Sequence, residues 1–243
     1  MSDKKIAIVT GGTGALGRAI VHRLASEGIK VYVPSITMEE FKAVFDRSQD
    51  LSEDVPDIKS IFSFVCDALD ESSVIDFVDS VSKLEGGRID YLINTVGGIH
   101  PKVQISDMDT ALLDIMYDLN FKSTFWFSRE VLKRMKVTGY GRIISIGAIA
   151  ALEPSPGVFA YSMAKAGVIN LMDTISAENK DSDIRANTII PSILDTPANR
   201  EWGSEDDIKT WVKPENIAEI IYSFLQDSFS EVRQSTIKVY GRY

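Results

Sequence analysis

Ile6-Ala7-Ile8-Val9-Thr10-Gly11-Gly12-Thr13-Gly14-Ala15-Leu16-Gly17 is the stretch whose reading decides the fold. Its first four residues form a short apolar run, as in a strand buried on both faces. The rest spaces glycines as Gly12-x-Gly14-x-x-Gly17, at the start of a helix-period segment over residues 15–27. Strand, glycine turn and helix in that order form a dinucleotide-binding pattern. The glycines permit a tight turn and a close backbone approach to a pyrophosphate. The helix start aims free N–H groups and the positive end of its dipole at that anion. Gly11, Thr13, Gly14, Ala15, Leu16 and Gly17 are therefore candidate nucleotide contacts, with a purely structural turn as the alternative.

Working outward, similar apolar runs recur at residues 31–33, 61–65, 91–93, 142–146, 188–190 and 236–239. Helix-period segments lie between them at 72–84, 111–136, 159–179 and 215–225. Alternating strands and helices predict a parallel sheet covered on both faces. Right-handed crossovers then wind it in two directions. The expected architecture is a single-domain α/β Rossmann fold, with a doubly wound, mostly parallel seven-stranded sheet and helices on both faces. Ligands of such sheets bind at the carboxyl ends of the strands.

Composition removes several alternatives. A net charge of −9 over 243 residues argues against nucleic acid, which calls for a basic footprint. The single cysteine, Cys66, excludes an internal disulfide framework and reads as a small core residue. No apolar stretch approaches the roughly 18 residues of a membrane span, and no secretory h-region follows Met1, so the expected location is the cytoplasm. Two histidines, His22 and His100, and one cysteine offer no metal-ligand spacing. His100 reads mainly as a solvated loop residue and the acidic stretch 46–57 as a solvated loop.

The strand ends supply the remaining candidates. After the second strand the chain reads Val33-Pro34-Ser35-Ile36-Thr37, with no acid before Glu39. An acid there would bind the ribose hydroxyls of NAD. Ser35 and Thr37 could instead accommodate a 2′-phosphate, with Arg18 the nearest cation, so NADP(H) is favoured over NAD(H). Asp67, after the third strand, is a candidate adenine contact or a loop acid. Asn94 and Gly97, in Asn94-Thr95-Val96-Gly97-Gly98, mark a cofactor-facing turn or an ordinary one. Tyr161 and Lys165 stand four apart in a helix-period segment and so share a face. An adjacent ammonium is expected to lower the Tyr161 pKa and make its phenol a usable acid.

Taken together, these motifs resemble the short-chain dehydrogenase/reductase family over nearly the whole chain. Residues 147–152, 194–200 and 211–215 are similar to the dihydropteridine-reductase side of that family. The resemblance implies hydride transfer between a nicotinamide and a small carbonyl or pterin-like substrate, with Tyr161 as acid/base. It implies that Lys165 holds the nicotinamide ribose, that Asn120 holds a water of a proton relay, and that Pro191 and Thr196 flank the nicotinamide. It further implies a substrate lid at about 195–210, and a homodimer or homotetramer paired through the long helices.

Three positions depart from the family pattern. Ala148 stands where a serine usually gives a second hydrogen bond to the developing oxyanion, and losing one such donor costs about 10²–10³ in rate. Ser145 is a weak substitute and reads mainly as a strand residue. Ala15 and Ser192 replace common glycines. A charge spread over a pterin ring needs a second oxyanion donor less, so Ala148 shifts weight away from a plain ketone. A 3-oxoacyl or ketone reductase of the same fold, and a non-catalytic NAD(P)-binding regulatory protein, remain the alternatives. Phe121, Phe125, Trp126 and Phe127 read as helix-interface residues, and Trp202 and Trp211 bracket the lid.

Overall fold

The computed structural model describes residues 4–45, 58–153 and 155–241. The acidic stretch 46–57 lies outside them. Seven strands form one sheet: β1 (Ile6–Thr10), β2 (Lys30–Ser35), β3 (Ile61–Val65), β4 (Tyr91–Asn94), β5 (Tyr140–Ile146), β6 (Asp183–Pro191) and β7 (Thr236–Val239). Their order is β3-β2-β1-β4-β5-β6-β7, and every pairing is parallel. The winding reverses between β1 and β4, the switch point at which ligands of open α/β sheets bind.

Among the described residues, nine α-helices connect the strands: α1 (Ala15–Ser26), α2 (Met38–Phe45), α3 (Glu71–Leu84), α4 (Thr110–Tyr117), α5 (Ser123–Thr138), α6 (Phe159–Glu178), α7 (Pro197–Arg200), α8 (Glu205–Ile208) and α9 (Pro214–Leu225). Side chains alternate along each strand, so two cores form. Val9, Val31, Ile93, Ile144 and Ile189 pack with Ile20 and Leu24 of α1 and Ile221 of α9. On the other face Ile8, Leu92 and Ile143 pack with Phe77 of α3, Phe127 of α5 and Met172 of α6. Cys66 is buried in this second core, and burial pushes its thiol up to about 11. Among the described residues, no helix is long and apolar enough to cross a membrane.

The structure differs from the sequence reading in three places. The single helix expected over 111–136 is interrupted by a π-helical turn, Asp118–Lys122, which separates α4 from α5. Helix α2 was not anticipated, because eight residues give too short a window for periodicity. Its apolar residues Phe41, Val44 and Phe45 nevertheless reach the first core. Strand β6 begins five residues earlier than its apolar run suggests. Asp183 and Arg185 there are polar, but they pair with Tyr140 and Arg142 of β5.

Glu130 ties the α5 surface together. Its side chain is 3% exposed and accepts from Arg129, Lys133 and Arg134, which hold its carboxyl below the usual range against the cost of burial. A depressed folded pKa adds stability above the unfolded value near 4.5 and loses it as pH falls through the folded value. Glu130→Gln is expected to lower the unfolding free energy by about 1–3 kcal/mol at pH 7. Chemical denaturation should also show that the gap between variant and wild type narrows below pH 4.

Candidate active site

The carboxyl end of β1 runs into α1 with little side-chain cover. Gly14 caps α1 without a side-chain bond, and no acid occupies the first turn, so its N–H groups stay open to an anion. Gly11 has φ +63°, a left-handed conformation that favours glycine, and its carbonyl accepts from Gly14 N–H at 3.0 Å. A Cβ on Gly17 would lie 2.1 Å from that same carbonyl oxygen, so α1 can approach the turn only through glycine. Ala15 and Leu16, in the first helical turn, are half-buried. Thr13 Oγ1 donates to the Glu40 carboxylate at 2.5 Å. Backbone cradle and open helix start together suit a dinucleotide pyrophosphate.

Several predicted contacts point elsewhere. Ser35 is 2% exposed, and its hydroxyl accepts from Ser63 Oγ at 3.1 Å on the neighbouring strand. Thr37 Oγ1 accepts from Glu40 N–H at 3.1 Å, at the start of α2. Ser35 is buried away from a 2′-phosphate, whereas the exposed Thr37 hydroxyl accepts from Glu40 and keeps its own proton to donate. Asp67 is exposed after β3, and its carboxylate accepts from Leu69 N–H at 2.8 Å. Asn94 is buried, and its amide donates to Ser128 of α5 and Ser145 of β5, both at 3.1 Å. Its side chain pins the sheet to α5 rather than facing a ligand.

Ser145 is likewise sealed, against Asn94 and the Met172 sulfur, so it offers no oxyanion donor in place of Ala148. Thr10 and Thr95 went unnoticed in the sequence. Thr95 Oγ1 donates to Thr10 O at 2.6 Å, and Thr95 N–H to Thr10 Oγ1 at 3.1 Å, joining the ends of β1 and β4 at the switch point.

Gly97, Asn120, Tyr161 and Lys165 belong to one constellation. The π-helical turn carries Asn120 into the interior. Its Oδ1 accepts from Gly98 N–H at 3.0 Å, and its Nδ2 donates to Gly98 O at 2.9 Å and Met116 O at 3.1 Å. Asn120 thereby clamps the loop after β4. A Cβ on Gly97 would lie 2.7 Å from Asn120 Oδ1 and 3.0 Å from Lys165 Nζ, so a side chain there would fill the space above both. Lys165 is buried, and its ammonium donates to Ile146 O at 2.9 Å.

Burial controls both titrating groups, pushing Lys165 down to about 8 and Tyr161 up to about 12. The expected lowering of Tyr161 by its neighbour is therefore absent here, and burial of the phenol sets the direction of its shift. Among the described residues, no protein group hydrogen-bonds the Tyr161 hydroxyl, which leaves the phenol open to a ligand.

Pro191 is buried at the end of β6, and Ser192 Oγ donates to Tyr240 O at 3.0 Å. Thr196 caps α7, accepting from Asn199 N–H at 3.3 Å. Helices α7 and α8 form an excursion whose base closes where Leu194 bridges Val212. Within it Trp202 tilts over Trp211 with centroids 5.0 Å apart. His100 is 6% exposed, which corrects the solvated reading, and its Nδ1 lies 2.5 Å from Pro101 O. A cavity of ≈ 520 Å³ lined by Ile105, Leu152, Phe159 and Met163 opens beside α6. Tyr161 does not line it, so it is a neighbour of the constellation rather than its centre. Among the described residues no group of three or more His, Cys, Asp or Glu could hold a metal ion.

Two outcomes follow. Gly17→Ala is expected to cost about 1–3 kcal/mol by overpacking. Calorimetry should show it weakening NADH and NADPH together, since the displaced turn serves the pyrophosphate common to both. For Lys165, the folded pKa near 8 lies below the ordinary 10.5. The unfolded chain then holds more protons between pH 8 and 10.5, so this residue makes stability rise with pH over that window. Lys165→Met should remove that rise and raise stability at pH 7 by up to about 3 kcal/mol. Urea titrations of both proteins at pH 7 and 10 would show it.

Comparison with known proteins agrees with this architecture. The family model described as short chain dehydrogenase matches residues 5–207. A 7α-hydroxysteroid dehydrogenase of Bacteroides fragilis is 29% identical over 198 residues, covering 81% of this chain and 74% of that protein. Two solved structures share the fold. One, ElxO with NADP bound, gives a TM-score of 0.87 at 22% identity, covering 98% of each chain. The other, an NAD⁺-bound xylitol dehydrogenase, gives 0.85 at 22% identity, covering 99% of this chain and 100% of its own. With its glycine turn at the switch point and its Tyr161–Lys165 pair, the chain belongs to the short-chain dehydrogenase family and is by that membership an NAD(P)-dependent oxidoreductase.

Proposed function

We propose that the protein transfers hydride between a nicotinamide dinucleotide and a small carbonyl or pterin-like substrate, with Tyr161 as the proton donor. The observation that carries this reading is the Tyr161 hydroxyl, which has no protein partner among the described residues and stands one helical turn from the sealed Lys165 ammonium. The cofactor, when bound, supplies the hydride.

This chain's residues do the rest. The open start of α1 and the backbone around Gly11 and Gly14 hold the pyrophosphate. Gly97 leaves space for the nicotinamide end beside Asn120 and Lys165. Burial keeps the Tyr161 phenol protonated through neutral pH, with its pKa near 12, so it can give a proton to the developing oxyanion. Lys165, held by Ile146 O, places a positive charge beneath that site. Asn120 fixes the loop after β4 through Gly98, a positioning role beside the water relay that the family resemblance implies. Ala148, 7% exposed, offers the oxyanion no hydroxyl. That supports a substrate whose developing charge is delocalised, such as a quinonoid dihydropterin, over a plain ketone or a 3-oxoacyl thioester.

The expectation of NADP(H) rests on Ser35 and Thr37: Ser35 is buried against Ser63, while the exposed Thr37 hydroxyl keeps a proton to give to a 2′-phosphate. The reading also carries a cytoplasmic enzyme that pairs with copies of itself. Exposed Ile115 on α4 and Phe159 on α6 support self-association.

The test is turnover by the purified protein with NADH and NADPH against quinonoid dihydropterin, simple ketones and 3-oxoacyl thioesters. Tyr161→Phe is expected to lower kcat by about 10²–10⁴-fold while cofactor affinity stays within about two-fold of wild type. Unchanged kcat in that variant would remove Tyr161 from the chemistry.

A further inference from the structure

His100 carries an acceptor that the fold leaves idle. It lies in the loop after β4, just past Gly97 and Gly98, and is 6% exposed. The loop is fastened on both sides of it. Gly98 donates its N–H to Asn120 Oδ1 at 3.0 Å and accepts from Asn120 Nδ2 at 2.9 Å. Val103 N–H donates to Gly157 O at 2.9 Å, and a Cβ on Gly157 would lie 2.9 Å from Lys102 Cβ. Gly157 stands just before α6, the helix that carries Tyr161 and Lys165. His100 therefore sits in the short span between the Asn120 clamp and the entry to the Tyr161 helix.

The ring's tautomer follows from its neighbour. Nδ1 lies 2.5 Å from Pro101 O, and a carbonyl oxygen only accepts, so Nδ1 holds the proton. Nε2 is left with its lone pair. It is buried, and among the described residues nothing donates to it. An acceptor sealed from water without a partner costs free energy, and native proteins keep few of them without a use. The adjoining side chains, Ile99 and Pro101, are apolar and bring no donor. After β5, Ala148 supplies no hydroxyl. The loops around Tyr161 thus lack a donor at one position and hold an unspent acceptor at another.

We infer that His100 Nε2 accepts a hydrogen bond from a ring N–H of the substrate. His100 is then a specificity-determining residue, and the substrate is a nitrogen heterocycle whose ring carries a donor. The inference deepens the carbonyl-or-pterin reading above and rests on it. The two clamps hold the loop in place before substrate arrives, so the acceptor is preorganised. A ring amide or amine donates to Nε2, whereas a plain ketone or a thioester leaves it unpaired in the complex. Sites built to bond an N–H reject the analogue without it more strongly than an apolar pocket rejects a missing methylene, because the buried partner stays unsatisfied.

Isatin and N-methylisatin are the probes. Both present the same ketone on the same fused ring, and only isatin has the ring N–H. Steady-state kinetics of the full chain, with saturating NADH or NADPH, compare wild type, His100→Gln and His100→Leu. Glutamine keeps an acceptor near the Nε2 position, and leucine has none. Quinonoid dihydropterin, which carries ring N–H groups of its own, is measured beside them. Melting curves of all three proteins confirm folding. A histidine that only packs the loop predicts that both isatins suffer alike when it is replaced. Imidazole nitrogen NMR adds a readout independent of turnover, with His22 the only other histidine.

Wild type should favour isatin over N-methylisatin by roughly ten-fold or more in kcat/KM. The ratio should fall towards unity in His100→Leu and stay near the wild-type value in His100→Gln. NMR should show Nδ1 protonated and Nε2 bare. A wild-type ratio near unity, or one that His100→Leu leaves unchanged, would overturn the inference and leave the hydride-transfer reading intact. So would a proton on Nε2, an unchanged kcat/KM for dihydropterin in His100→Leu, or turnover of simple ketones with neither isatin accepted. Inertness towards every carbonyl and pterin probe would overturn both.

Discussion

All seven strands run the same way, and this parallelism constrains everything else in the molecule. Parallel strands need crossovers, and the crossovers clothe both faces with helices. The sheet is therefore covered on both sides, and the residues of the site gather in the loops at the carboxyl ends of its strands. The glycine turn, the Gly97 loop, Ala148 and Ser192 all lie just beyond strand ends. The reversal between β1 and β4 separates their loops, and the paired bonds of Thr10 and Thr95 tie the two ends together there. A site at this edge needs no cavity carved from the core, because the topology already leaves a crevice.

Most of the architecture was legible because burial on two faces leaves an unmistakable trace. Residues 6–9, 61–65 and 91–93 are apolar runs, and each lies within a strand. What was less legible had specific causes. Helix α2 is short and leans on Phe41 and Phe45 rather than on a long stripe. The π-helical turn at Asp118–Lys122 has no compositional mark, since the extra backbone residue is set by Asn120 reaching the Gly98 backbone across the fold. The foot of β6 is polar because Arg142 and Asp183 form an ion pair there.

The site divides along the same line. Positions defined by backbone space, such as Gly11, Gly17 and Gly97, could be read from glycine spacing alone. Positions defined by where a side chain turns could not. Asn94 and Ser35 stand at the right strand ends, yet their polar atoms face Ser128, Ser145 and Ser63. Glu40 stands past the loop, yet its carboxylate returns to it. For Tyr161 and Lys165 the spacing was informative, but the direction of the tyrosine shift was not. Pairwise proximity suggests an acidified phenol, while enclosure, which a sequence does not express, moves it the other way.

The tryptophans offer a further consequence. Of three in the chain, Trp126 lies on α5, and Trp202 and Trp211 meet in the excursion after β6. Trp211 is 8% exposed and Trp202 is 62% exposed, so one indole sits in a dry setting and the other in water. Ultraviolet emission from this protein is therefore weighted towards a single segment. Its colour and its accessibility to a small quencher describe the state of α7 and α8 without any label, because nature has already placed the chromophores there.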